Sequence, residues 1–229
     1  MAKNKKEYKY WSKKAHAFDA ATSHVVGKAT QQATRLWIEN QFKETDEVLE
    51  LGCGTGHFSS VVAGRVRRLT ATDRSIEMLG LVKRRLDPLR NATVQMEDCF
   101  HTSFSDGVFD AVILGNVIHI LGRPMDVLNE SRRVLKPGGS IVLVDSTSHG
   151  MALRSKLAMV IRYLKKSGIP PKENRVVSPL EVAGLLEKSG FLVEESRLIK
   201  KETNVVCLRG RRDKHEPSGS GLGDNRPEG

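Results

Sequence analysis

The sequence predicts an α/β fold in which a doubly wound, mostly parallel, seven-stranded sheet carries helices on both faces. Between positions 47 and 146, short strand-like apolar runs alternate with helical patterns, roughly every 20 to 30 residues. The first run, EVLELG (47–52), is apolar without clean alternation, which is typical of a parallel strand buried on both faces. The last two runs, 191–199 and 204–210, have only a short connection between them, which predicts an antiparallel pair closing the sheet.

Each element has its own local signal. The apolar spacing of 23–42 predicts a helix whose inner face holds Val26, Ala29, Ala33, Leu36 and Trp37. Further helices are predicted over 56–66, from the N-cap Ser75 to a stop before Pro88, over 124–135, over 151–167, and over 178–190 between Ser178 and Gly190. The predicted strands are 47–52, 68–73, 93–98, 109–116, 140–146, 191–199 and 204–210.

The chain divides into five predicted segments. They are an N-terminal helical segment that caps the core (1–44), a ligand-binding core (45–146), a basic lid or substrate segment (147–178), a C-terminal helix with the antiparallel pair (179–210), and a disordered tail (211–229). The tail prediction follows from a composition with almost no apolar residues to bury.

Composition and charge restrict the classes of protein. No apolar stretch is long enough to span a bilayer, no signal peptide is visible, and three scattered cysteines do not form a disulfide framework or a metal site. We therefore expect a cytoplasmic protein without a bound metal. The net charge of +10 favours anionic partners, although six lysines among residues 1–14 suggest that part of it is a solvated arm.

A glycine-rich loop follows the first predicted strand, where open α/β sheets bind ligands. Gly52, Gly54 and Gly56 leave the backbone bare for close approach. A dinucleotide-binding loop needs a third glycine or alanine where His57 or Ser59 stands, and a phosphate-binding P-loop needs a terminal Gly-Lys-Ser/Thr. Neither NAD nor ATP fits this loop.

The string that fits is Glu50-x-Gly52-x-Gly54-x-Gly56, and here the sequence resembles the class I S-adenosylmethionine-dependent methyltransferases over about residues 45–146. The resemblance implies a Rossmann-like methyltransferase fold and S-adenosyl-L-methionine as cofactor. It also implies that the loop lies against the amino-acid part of the cofactor and that Asp73 accepts the ribose hydroxyls. The cofactor-binding residues implied are Glu50, Gly52, Cys53, Gly54, Gly56, Asp73, Arg74, Asp98, Cys99 and Asn116.

Some of these residues have plainer interpretations. Asp73 is also a suitable helix cap, Asp98 a solvated loop carboxylate, and Cys53 a small buried side chain within the loop. The ordered matches at the ends of four successive strands favour the cofactor interpretation.

Methyl transfer needs a base only when the acceptor atom carries a proton. His119 follows the fourth predicted strand and His149 follows the fifth, so both are candidate catalytic bases at the ligand-binding edge. Histidines in such places also serve as hydrogen-bonded scaffolding.

The acceptor is predicted to be a small or lipid-like molecule. GNVI (115–118) does not match the Asn/Asp-Pro-Pro-aromatic stretch of base-amine methyltransferases, and YKYWSKKAHAFD (8–19) resembles the opening of small-molecule methyltransferases such as those of ubiquinone and menaquinone biosynthesis. The cations of 147–172, among them Arg154, Arg162 and Lys165, suggest contact with an anionic acceptor or an anionic membrane. Two alternatives stay open: a non-catalytic cofactor-binding partner subunit and an RNA methyltransferase.

Overall fold

The computed structural model describes residues 15, 25–168 and 174–214, and within them a seven-stranded sheet confirms the predicted fold class. The strands are β1 Glu47–Leu51, β2 Arg68–Asp73, β3 Ala92–Met96, β4 Phe109–Gly115, β5 Leu135–Thr147, β6 Phe191–Lys200 and β7 Asn204–Arg212. Their spatial order is β3-β2-β1-β4-β5-β7-β6, and β7 runs antiparallel to both of its neighbours. The helices are α1 Lys28–Glu39, α2 Ser59–Ala63, α3 Ile76–Leu86, α4 Pro124–Val134, α5 Leu153–Ser167 and α6 Pro179–Lys188.

The strand order reverses between β1 and β4, which pair in parallel. At such a switch point the loops that leave the two strands diverge and open a crevice at the carboxyl edge of the sheet. The glycine loop after β1 and the turn after β4 therefore border the same crevice.

Both faces of the sheet are covered by apolar side chains, as the sequence predicted. On one face, Trp37, Val62 and Val82 from α1, α2 and α3 pack over the central strands. On the other, Leu128 of α4 and Leu186 of α6 do so. Continuous apolar strands such as β4 are explained by this double cover.

The predicted inner face of the first helix is only partly confirmed: Trp37 is buried as predicted, but other members are not. Ala29 and Leu36 are exposed, and the buried residues of α1 are Thr30, Thr34, Trp37 and Ile38. Hydrogen bonds explain the difference. The Thr30 hydroxyl donates to the Thr203 carbonyl at 3.1 Å, and the Thr30 N–H donates to the Glu202 carboxylate at 3.0 Å. These bonds fix the start of α1 on the β6–β7 turn and rotate its threonines inward.

Two boundaries also differ from the sequence prediction. The helix predicted over 56–66 shortens to α2, because Gly56 has φ +83 and so belongs to the loop. β7 continues to Arg212, two residues into the predicted tail, because Arg212 is buried and donates to the Arg132 carbonyl at 2.9 Å. The predicted disorder of 215–229 lies outside the described residues, and the division into five segments stays a prediction.

Candidate active site

The glycine loop leaves β1 with three left-handed backbone conformations, at Gly52 (φ +74), Gly54 (φ +54) and Gly56 (φ +83). A Cβ at Gly52 would lie 2.8 Å from Val117, and one at Gly56 would lie 2.4 Å from Val82, so both glycines allow tight packing of the loop. A Cβ at Gly54 would meet no atom within 4 Å. Gly54 therefore faces open space, where a ligand can lie against the main chain.

Asp73 ends β2 and connects it to this loop. Its carboxylate accepts hydrogen bonds from the N–H groups of Gly54 at 2.9 Å and Ser75 at 2.8 Å. The N-cap of α3 is Ser75, whose hydroxyl accepts from the Met78 N–H, so Asp73 is not the cap itself. An ionised carboxylate has about four acceptor positions, so Asp73 retains capacity for two ligand hydroxyls.

Glu50 lies beneath the loop and is almost completely buried. The Ser59 hydroxyl donates to its carboxylate at 2.5 Å. Burial raises the pKa of Glu50 to about 8; the Ser59 hydrogen bond opposes this shift, and the charge of Asp73 adds to it. Burial also raises the pKa of Asp73.

Two carboxyl groups thus lie at the glycine loop, and their raised pKa values mean that ionising both of them costs free energy in the unliganded protein. Within the described part of the chain, no lysine or arginine forms an ion pair with Glu50 or Asp73. A cationic ligand would stabilise both ionised carboxylates, whereas a phosphate would be repelled by them. This electrostatic pattern agrees with the loop pattern that excludes NAD and ATP.

Glu50→Gln should remove a pH-dependent loss of stability from the unliganded protein. Because the pKa of Glu50 is raised from 4.5 to about 8 on folding, its contribution to stability is complete below the lower value and is lost as the pH rises towards the higher one. We expect the wild-type free energy of unfolding to fall by about 1–4 kcal/mol over this range. Urea unfolding at a series of pH values should show that the free energy of unfolding depends less on pH in Glu50→Gln than in wild type. Glu187→Gln, an exposed control on α6, should keep the wild-type pH dependence. The same pH dependence in wild type and Glu50→Gln would contradict the prediction.

The loop after β3 holds Asp98 and Cys99. Asp98 accepts from the Phe100 N–H and forms an ion pair with Arg74 at 3.3 Å, so Arg74 bridges the ends of β2 and β3. Burial, with a smaller effect of the Asp98 charge, raises the pKa of Cys99 to about 12. Its thiol therefore stays protonated and contributes packing, and Cys53 is a buried thiol whose pKa is raised in the same way.

Asn116 follows β4 and is the one non-glycine residue with positive φ (+59) in the described ranges. Its N–H donates to the Val144 carbonyl at 2.6 Å, and its side-chain oxygen accepts from the Ser146 N–H at 2.9 Å. A non-glycine residue held in this region carries backbone strain, and such residues cluster at functional sites. Asn116 thus joins the ends of β4 and β5 at the crevice.

His119 is paired with Asp145, a residue that the sequence prediction missed. His119 Nδ1 is hydrogen-bonded to the Asp145 carboxylate, which is almost fully buried and also accepts from the Ile118 N–H at 3.2 Å. Asp145 follows Val144, which pairs with Gly115 at the end of β4. Adjacent parallel strands end at the same edge of the sheet, so an acidic residue near the end of the fifth predicted strand was the signal in the sequence that could have indicated Asp145 as a partner of His119.

His149 is placed by its backbone. Its N–H donates to the Thr147 hydroxyl at 3.0 Å, and its carbonyl accepts from the Asn204 side chain at 2.8 Å. Its ring forms no hydrogen bond with His119, so the two candidate bases do not act as a pair.

A small cleft with both apolar and polar lining residues lies beside the glycine loop. It is bounded by α1, the loop exit and the ends of β4, β5 and β7. Its lining residues are Val26, Gln31, Thr34, His57, Phe58, Asn116, Val144, Ser146 and Val205. No pattern in the sequence marks His57 or Phe58 as part of a binding cleft.

The part of the chain that forms this crevice is similar to known methyltransferases. Residues 49–143 match the family model described as "Methyltransferase domain". The chain is 35% identical over 160 residues to chondramide synthase of Chondromyces crocatus, covering 64% of this chain and 4% of that protein. It is 29% identical over 116 residues to demethylmenaquinone methyltransferase of Staphylococcus saprophyticus, covering 49% of this chain and 50% of that protein.

A third relative is malonyl-[acyl-carrier protein] O-methyltransferase of Marinomonas sp., 29% identical over 147 residues, covering 62% of this chain and 54% of that protein. The chain thus spans about half the length of these two methyltransferases. Among solved structures, a SAM-dependent methyltransferase from Aquifex aeolicus has a TM-score of 0.65 at 20% identity, covering 87% of this chain and 97% of that one. The structural likeness supports the fold.

Proposed function

We propose that the protein is a class I, S-adenosylmethionine-dependent methyltransferase, and that it uses residues 49–143, which match a methyltransferase domain, to methylate a small-molecule or lipid-like acceptor. The observation that carries the proposal is the presence of two carboxyl groups, those of Glu50 and Asp73, at the open backbone of Gly54, with no lysine or arginine of the described residues paired to either. S-adenosylmethionine bears a sulfonium and an ammonium group and no phosphate, which suits this crevice.

In this proposal, different residues of the crevice bind different parts of the cofactor. Glu50 and the loop residues Gly52, Cys53, Gly54 and Gly56 would hold its amino-acid part, and Asp73 would accept its ribose hydroxyls. Asp98 and Cys99, after β3, would lie at the adenine, next to Arg74, which pairs with Asp98; Asn116, after β4, is the remaining cofactor-binding candidate.

The cofactor, when bound, supplies an electrophilic methyl group for in-line displacement by the acceptor. Holding the acceptor in line is the main task of the cleft, because positioning supplies much of the acceleration in such reactions. Where the acceptor atom carries a proton, His119 would accept it at Nε2. Asp145 would hold the tautomer in which Nδ1 carries the ring proton. His149 is the second candidate base.

The acceptor class is supported by the cleft and by the relatives. The lining of the cleft beside the loop combines apolar side chains, such as Phe58 and Val144, with polar ones, which suits a small molecule that has both apolar and polar parts. The relatives include methyltransferases named for demethylmenaquinone and for a malonyl-carrier protein.

Among the described helices, none combines the length and apolarity needed to cross a bilayer. The three cysteines are free thiols, which supports the proposed cytoplasmic location.

Calorimetry should show that S-adenosylmethionine binds and that NAD and ATP do not. Gly54→Ala should weaken this binding by tenfold or more, because the added Cβ would occupy the open space that a ligand would use. Gly107→Ala is the control: Gly107 also has positive φ (+65), and a Cβ there would make only ordinary contacts, at 3.9 Å or more, with the atoms of Leu135 and Lys136. Binding of NAD without binding of S-adenosylmethionine would falsify the cofactor assignment.

Transfer of a radiolabelled methyl group to fractionated metabolite and lipid extracts then tests the acceptor class. Label in a small-molecule or lipid fraction supports the proposal. Cofactor binding without transfer to any fraction favours a non-catalytic binding subunit, and label in RNA favours an RNA methyltransferase.

A further inference from the structure

The helix α5 lies with its apolar side outward. Its half-buried residues include Ser155, Met159, Arg162 and Tyr163, which lie on one side of the helix. The other side carries an aliphatic stripe of five exposed side chains. They are Leu153 (83% exposed), Leu157 (60%), Val160 (45%), Ile161 (44%) and Leu164 (46%). The sequence predicted that these residues share a face, and the structure shows that this face is directed away from the sheet.

The aliphatic stripe is continuous along the helix. Each member lies three or four residues from another member, and the helical rise of about 1.5 Å per residue makes the stripe about 16 Å long. Scattered exposed apolar residues are ordinary, but a continuous row of aliphatic side chains marks a surface that binds another apolar surface.

Cations stand at both ends of the stripe. Arg154 and Lys165 are exposed, and residues 147–172 contain no acidic residue. Arg162, which the sequence analysis grouped with them, is half-buried and donates to the Val25 carbonyl at 3.3 Å, so that expectation is corrected. The outer side of α5 therefore combines an aliphatic centre with positive ends.

We propose that the aliphatic stripe binds the surface of a bilayer that contains anionic lipids. An amphipathic helix of this kind lies in the plane of the interface, with aliphatic side chains at the acyl boundary and basic side chains among the headgroups. The stripe contains no Trp, Tyr or Arg, the residues that usually anchor protein–protein interfaces, and this favours a bilayer over a protein partner.

The helix is also in a suitable place for delivery of an acceptor. It begins six residues after β5 ends, at the carboxyl edge of the sheet that holds the crevice. A lipid-like acceptor could then reach the cleft from the membrane; this last step rests on the proposed function, whereas bilayer binding by α5 does not.

Co-sedimentation of the full chain with vesicles tests the proposal. The probes are vesicles of phosphatidylcholine and phosphatidylglycerol at about two to one, and vesicles of phosphatidylcholine alone. We expect binding to the anionic vesicles that weakens about tenfold or more in L157Q/I161Q and about fivefold per charge in R154Q and K165Q. The charge-dependent part should decrease with added salt. L192Q and L36Q, changes at leucines exposed by 56% and 55% on β6 and α1, should bind as wild type does.

Absence of vesicle binding by wild type, or equal binding by wild type and L157Q/I161Q, overturns the proposal. Size-exclusion chromatography tests the alternative that a second copy of the chain binds the stripe. A wild-type dimer that becomes a monomer in L157Q/I161Q would make the stripe an interface between two copies and would also overturn the proposal. The substituted side chains are exposed, so these variants should fold. Cofactor affinity measured on the same samples reports on the proposed function separately from bilayer binding.

Discussion

Asp145→Asn should lower kcat for methyl transfer by about 10²–10⁴-fold when the acceptor atom carries a proton, the usual contribution of a positioned base. The carboxylate of Asp145 accepts from His119 Nδ1, which leaves Nε2 free to take a proton. In Asp145→Asn the amide NH₂ would donate to Nδ1, so the ring proton moves to Nε2 and the base is lost. His119→Gln should give a loss of similar size, measured as kcat with the acceptor identified in the extract assay.

Asparagine is the informative replacement because its oxygen can still accept from the Ile118 N–H that the carboxylate holds in the wild type. Cofactor affinity and melting temperature should therefore stay close to wild type while kcat falls. Asp87→Asn, at an exposed carboxylate after α3, is the control. If Asp145→Asn and His119→Gln both retain wild-type kcat while His149→Gln does not, the base is His149 and the His119–Asp145 pair is scaffolding.

The parts of the site that lie close together in the chain could be predicted from the sequence. Gly52, Gly54 and Gly56 follow a strand whose apolar composition marks it as buried, and alternation with helices determines which edge of the sheet the loop occupies. The N-cap at Ser75 was also predictable, because a cap depends on a few neighbouring residues.

Features that depend on distant contacts could not be predicted. The inner face of α1 is set by hydrogen bonds from Thr30 to Glu202 and Thr203, more than 170 positions away, and apolar periodicity contains no information about them. The outward stripe of α5 is similar: periodicity gives the stripe, but contacts such as that of Arg162 with Val25 determine which side faces the protein. The pairing of His119 with Asp145 required the register of β4 against β5 as well.

Asp73→Ala should weaken binding of S-adenosylmethionine by about 1.5–3 kcal/mol, or roughly 10- to 150-fold, the scale of hydrogen bonds to a charged group. Two effects contribute: the ribose loses its acceptor, and the Gly54 N–H loses the carboxylate that holds the glycine loop. Isothermal titration calorimetry measures the loss, and Asp87→Ala provides the same substitution at an exposed position.

Ser75→Ala separates binding from local stability. It removes the N-cap of α3, which should lower the free energy of unfolding by about 0.5–2 kcal/mol, yet it leaves the Asp73 carboxylate in place. We expect Ser75→Ala to bind the cofactor within about twofold of wild type, because only the Asp73 change removes an acceptor from the ligand. A loss of affinity in Ser75→Ala as large as that in Asp73→Ala would mean that order at the start of α3, rather than a carboxylate on the ribose, governs cofactor binding.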